Sequence, residues 1–158
     1  MEKNEHTPYF SEQALAKFVA AEGLAVEKII CHLWINAMDE NATIEIIDNV
    51  ELHFSGGKKL TIGCDEDGSG LELLDFDYRE SAIQLQKEFG EKIRLYAIDA
   101  SSTKMWQDVV GKTLRHVKIT KEDGRYKADT IVLDFHDEKR EVSAAPLDGV
   151  IIDYYEEN

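Results

Sequence analysis

In the stretch Cys64-Asp65-Glu66-Asp67-Gly68-Ser69-Gly70, Asp65, Asp67, Ser69 and Gly70 stand at the first, third, fifth and sixth positions of a calcium loop. The same template demands a bidentate glutamate at its twelfth position. That position is Phe76, and the flanking residues read as strands where helices are required. A weaker cation site would combine Asp65 and Asp67 with Asp75 and Asp77, placed on one face of the outgoing strand LELLDFDY. Four carboxylates held together repel unless a cation, a proton or solvent relieves them. The simpler reading is a hairpin turn with incidental acidity.

Histidine is the next residue type suited to catalysis. His32 and His116 occupy corresponding positions of an apparent repeat, where they would act as metal ligands, as an acid/base pair or as half-exposed structural residues. His53 and His136 border two turns and read as solvated; His6 lies in the polar start. Cys31 and Cys64 are the only cysteines, both within apolar runs and without a CxxC, so they read as buried small hydrophobes. GxSxG, HExxH, P-loop and GxGxxG patterns do not occur. Catalysis, if present, would use the Asp65, Asp67, Asp75 and Asp77 carboxylates with His53 or His116.

Charge is the dominant compositional feature: 18 Lys and Arg against 32 Asp and Glu, net −14 over 158 residues. Residues 36–80 hold twelve acids and three bases, whereas residues 104–127 hold seven bases and three acids. Cations in the second segment are expected to offset the acids of the first. An acidic surface repels nucleic-acid phosphates and anionic lipid and attracts cationic partners, although acidity also serves solubility alone. The start MEKNEHTPYF has no apolar run behind a basic head, and no stretch of eighteen apolar residues occurs, so the expected address is the cytoplasm.

The elements that must carry these residues read as follows. Ser11 caps a helix running to Glu22, and Val26 to Ile35 is a strand buried on both faces. Thr43 to Ile47 is a further short strand. Val50, Leu52 and Phe54 alternate with polar residues, as do Leu60, Ile62 and Cys64 across the turn SGGK, which predicts a hairpin. LELLDFDY is a strand, residues 80–89 a second helix, KIRLYAI a strand and Ser102 to Val110 a short helix. Lys28–Leu33 can be laid over Lys112–Val117, and Val50–Phe54 over Ile131–Phe135. Trp34 and Trp106 read as core.

These signals predict a single α+β, β-dominant domain over residues 1–158. Two tandem antiparallel meanders, about 24–78 and 104–158, would be related by a pseudo-two-fold axis. A helix and strand connector, about 79–103, joins them, with two to three short helices packed on the sheet. The expected function is a small non-catalytic binding protein of the inhibitor or immunity type. It would engage a basic protein surface through Asp65, Glu66, Asp67, Glu72, Asp75 and Asp77, without cofactor, nucleic acid or membrane. Exposed sheet edges leave self-association open. The alternative is the metal-dependent or hydrolytic enzyme described above.

Overall fold

The computed structural model describes residues 8–156, so His6 and Glu157 lie outside the described residues. The chain is β-dominant, and the described residues form nine strands in one curled mixed sheet and two α-helices. Helix α1 (Glu12–Ala21) starts where Ser11 Oγ accepts the Ala14 N–H at 3.1 Å, and it buries Phe18 and Ala21. Gly23, at φ 90°, turns the chain out of it. Strands β1 (Val26–Asp39) and β2 (Ala42–Phe54) form a long antiparallel hairpin. The run expected as two strands, 43–47 and 50–54, is thus one strand, because a bulge at Asp48 lets it bend without ending. A tight turn at Ser55–Gly57 leads to β3 (Lys59–Cys64), which pairs with β2 as predicted.

The next strand is shorter than the alternation suggested. Only Leu71–Leu73, β4, pairs with β3; Asp75 and Asp77 fall in the following loop and share no strand face. A long-range and a local contact both end the pairing: Phe76 and Tyr78 turn onto His32, and Asp77 Oδ1 accepts the Glu80 N–H at 3.0 Å. Asp77 therefore caps helix α2 (Tyr78–Phe89). Strand β5 (Ile93–Asp99) then pairs with β1.

Residues 102–110 form successive turns where a helix was expected. Thr103 O accepts from Trp106 and Gln107, and Trp106 O from Val109 and Val110. Trp106 and Val109, three residues apart, are both fully buried, and the core contact sets this tight winding. The segment expected to continue as a strand from Lys112 instead pairs with the end of the first helical unit. Val26 N–H donates to Lys112 O, Gly23 N–H to Leu114 O and Leu114 N–H to Leu24 O. Strand β6 therefore begins at His116 and runs to Glu122.

Strands β7 (Arg125–Asp134), β8 (Lys139–Ala145) and β9 (Gly149–Tyr154) complete a second antiparallel series. The sheet order is β4-β3-β2-β9-β8-β7-β6, with β1 between β2 and β5. The single parallel junction is Ile47 of β2 with Gly149 of β9. Both series follow the same order of pairing but differ in dimensions: 14 residues in β1 against 7 in β6. The curl encloses Ile29, Val50, Leu52, Ile62, Leu133 and Val142, closed by Phe18 of α1 and by Trp106. Trp34, expected in this core, is half-buried on the opposite sheet face, towards α2. No described helix is long and apolar enough to cross a membrane.

Candidate functional site

The acidic turn is built by its own carboxylates. Asp65 N–H donates to Gly70 O, and Gly68 N–H donates to Asp65 O, closing the loop. Ser69 N–H then donates to Asp65 Oδ1 at 3.0 Å, and the Ser69 hydroxyl donates to Asp67 Oδ1 at 2.7 Å. Asp65 and Asp67 thus serve the turn, as Asx residues commonly do. Glu66, the third acid, points to solvent.

Asp75 and Asp77 are held apart from this turn. Cys64 faces Leu71 at the turn end of the β3–β4 ladder, while Leu74 N–H donates to Thr61 O at the other. Asp75 beyond it lies about five strand residues, roughly 16 Å, from Asp65. Among the described residues no group of three or more His, Cys, Asp or Glu side chains is placed to hold a metal ion. His53 Nε2 pairs with Glu51 Oε1 at 2.9 Å, and His116 Nδ1 with Glu22 Oε2 at 3.0 Å. Their recorded partners are therefore other carboxylates than the four singled out.

What joins the acidic turn is sequence-distant. Gly68 has φ 73°, and a Cβ there would lie 2.8 Å from Pro146 Cα, so the turn at 65–70 packs directly on the β8–β9 turn that carries Asp148. Beside both, the Cys64 thiol is pushed up by burial and then by the charges of Asp65 and Asp48, against a hydrogen bond with the Ala145 backbone. Cys64 thus marks where three segments meet: the bulge of β2 at Asp48, the 65–70 turn and the 145–148 turn. Residues 36–48, 60–78 and 141–158 contain no Lys or Arg. The sequence carries no signal for this junction, since nothing in the two turns marks them as neighbours in space.

The expected internal neutralisation does not take this route. Among the described residues the basic segment pairs Lys112 with Asp137, His116 with Glu22, and Lys127 with Glu122 and Asp129. Arg115 contacts His136, which is exposed as expected. None of these carboxylates belongs to residues 36–80. Glu66, Glu72, Asp75 and Asp77 have no ion-pair partner among the described residues, and Glu66, Glu72 and Asp75 are exposed.

A second cluster escaped the sequence reading because its members lie on a strand face that alternation assigns to solvent. With Val50, Leu52 and Phe54 in the core, Asn49, Glu51 and His53 take the other face, yet Asn49 is fully buried and Glu51 nearly so. The loop before α2 covers them. His32 Nδ1 meets Asn49 Oδ1 at 2.7 Å and lies 3.9 Å from Glu51 Oε2, and Asn49 Nδ2 donates to Asp48 Oδ2 at 2.8 Å. The bulge allows neighbouring Asp48 and Asn49 to meet in this way. His53, expected to be solvated, is half-buried against Glu51. His32 and His116 do not form a pair: the first is buried with Asn49, the second exposed with Glu22. Both cysteines are free; Cys31 is buried, which pushes its thiol up to about 11.

Comparison with protein-family models, with curated proteins and with solved structures gives no match.

Proposed function

We propose that this protein is a non-catalytic binding module that engages a basic protein surface, of the kind an inhibitor or immunity protein covers. The observation that carries the reading is the convergence at Cys64 of three acidic segments without a lysine or arginine. Glu66, Asp148 and Asp48 belong to this end; farther along, Glu72 lines a cleft shared with Lys17, Asp75 one shared with Lys17, Lys58 and Lys59, and Asp77 caps α2. Lys112 and Lys127 pair with carboxylates elsewhere, and Asp48, Glu66 and Asp148 have no ion-pair partner among the described residues, so a cationic partner meets charge there that no salt bridge already holds. In this reading Asp65 and Asp67 shape the turn and Glu66 presents charge.

The parallel order of pairing in the two meanders supports reading them as copies of one ancestral unit, with the acidic junction arising where the copies meet.

The test is capture from the source cells on immobilised protein at low salt, elution with salt, and identification by mass spectrometry. Association of the recovered protein is then timed with wild type, with Glu66→Lys and with Asp148→Lys. The expected partner is basic, its association rate falling by roughly tenfold or more from low to high salt and again on charge reversal. A rate indifferent to both salt and reversal would overturn the reading.

A further inference from the structure

At the distal end of the β1–β2 hairpin the two strands are treated unequally. β1 is covered by β5 as far as Asn36 facing Ile93, and Ala37 N–H still donates to Lys92 O. β2 acquires a neighbour on its outer side only at Ile47, where β9 begins, and at Asn49, where β3 begins. Residues 42–45 therefore have β1 on one side and no ladder partner among the described residues on the other, and all four are exposed. Half of the backbone N–H and C=O groups of such an edge point away from the sheet, ready to pair with another strand.

The side chains of this edge sort by face. Register sets Ile46 opposite Trp34 and Ile44 opposite Asn36, so Ile44 and Ile46 extend the apolar floor that Trp34 and Leu95 give to the cleft beside α2. Ile44 is 49 % exposed. Thr43 and Glu45 occupy the opposite face. The surrounding hairpin, residues 36–48, carries Asp39, Glu40, Glu45 and Asp48 and no Lys or Arg.

We propose that residues 42–45 of β2 take an extended, lysine- or arginine-bearing segment of a basic partner as an added antiparallel or parallel strand. Main-chain hydrogen bonds supply the attachment. Alternate side chains supply the discrimination: apolar ones lie along Ile44 and Ile46, basic ones meet Glu45 and the hairpin acids. The inference rests on the acidic-surface reading and narrows it to a partner segment with alternating apolar and basic residues.

The probe is a capped ten-residue peptide of alternating Lys and Val, compared with one of alternating Lys and Gly and one of alternating Glu and Val. Binding is followed by amide hydrogen exchange and by amide resonances of the 15N-labelled protein. The expected result is protection confined to Thr43–Glu45 with the Lys–Val peptide, at least tenfold weaker binding of the other two, and at least tenfold weakening by Ile44→Asp. That substitution adds a negative charge, so attraction by charge alone would tighten binding to a cationic peptide. Equal binding of the Lys–Gly peptide, tightening by Ile44→Asp, or protection at another edge would overturn strand addition while leaving the acidic surface in place. Failure of the salt and charge-reversal experiment would remove that surface instead.

Discussion

The imidazole of His32 lies stacked on the ring of Tyr78, centroids 5.3 Å apart and planes 26° from parallel. This contact fastens the first residue of α2 to the middle of β1. Phe76 closes a second side of the imidazole at 4.9 Å, and the Tyr78 hydroxyl donates to Leu95 O on β5 at 3.1 Å. The loop bearing Asp75 and Asp77 is therefore held down by a buried polar group, in addition to the packing of Leu74 over Gly63.

Replacing that group should loosen the loop before it unfolds the protein. His32→Leu removes the Asn49 partner and leaves Glu51 with one histidine fewer near its buried carboxylate. The expected loss is about 2–4 kcal/mol in urea denaturation, since a buried acceptor is left unsatisfied. Hydrogen exchange should accelerate first in residues 76–81, and unchanged exchange there would contradict the anchoring role.

Gly68 and Gly56 form a matched pair for the packing of the two turns. Both have positive φ, 73° and 80°, but only Gly68 has a neighbour, Pro146, within reach of a Cβ. Gly56→Ala should cost about 1 kcal/mol from backbone strain alone. Gly68→Ala should cost at least 1 kcal/mol more and should weaken partner binding, because the two acidic turns are pushed apart. Equal melting temperatures for the two variants would show that the turns are not in contact.

The thiols report on burial and on the acidic junction. The raised Cys31 pKa favours the neutral thiol in the folded state, so its contribution is complete below pH 9 and is lost as pH rises towards about 11. Across that window stability should fall by roughly 2–3 kcal/mol, a loss that Cys31→Val should largely abolish. Cys64, half-buried and raised partly by Asp65 and Asp48, should react with a maleimide faster than Cys31. Asp48→Asn should speed that reaction further.

Because Asp48, Glu66 and Asp148 have no ion-paired cation among the described residues, the folded protein should gain stability from screening. The melting temperature should rise between 20 and 500 mM NaCl by on the order of a few degrees. Glu66→Lys should reproduce part of that gain at low salt. A melting temperature that falls with salt would mean that attractive pairs dominate the surface.

Alternation of Val50, Leu52 and Phe54, the capping signal at Ser11 and the turn residues of SGGK made most strands and α1 legible, because each depends on neighbours within one or two turns of chain. Period-two signals were misleading where a cap or a contact with a distant strand won. LELLDFDY kept its alternation, yet Asp77 capped a helix and Phe76 found His32, so pairing ended at Leu73. In the same way Trp106 and Val109 wound residues 102–110 into turns, and Leu114 entered the core before β6 began.

Net charge, its segregation into residues 36–80 and 104–127, and the acidic composition of the 65–77 stretch were determined by sequence alone, since they require only counting. Tertiary structure decided which charges face each other. Backbone hydrogen bonding and core burial, indifferent to surface sign, set Pro146 on Gly68 and Asp48 beside Cys64, while Lys112 and Lys127 found carboxylates elsewhere. Burial likewise turned Asn49 and Glu51 from expected surface residues into an interior polar network, because the loop that covers them is placed by contacts more than twenty residues away in sequence.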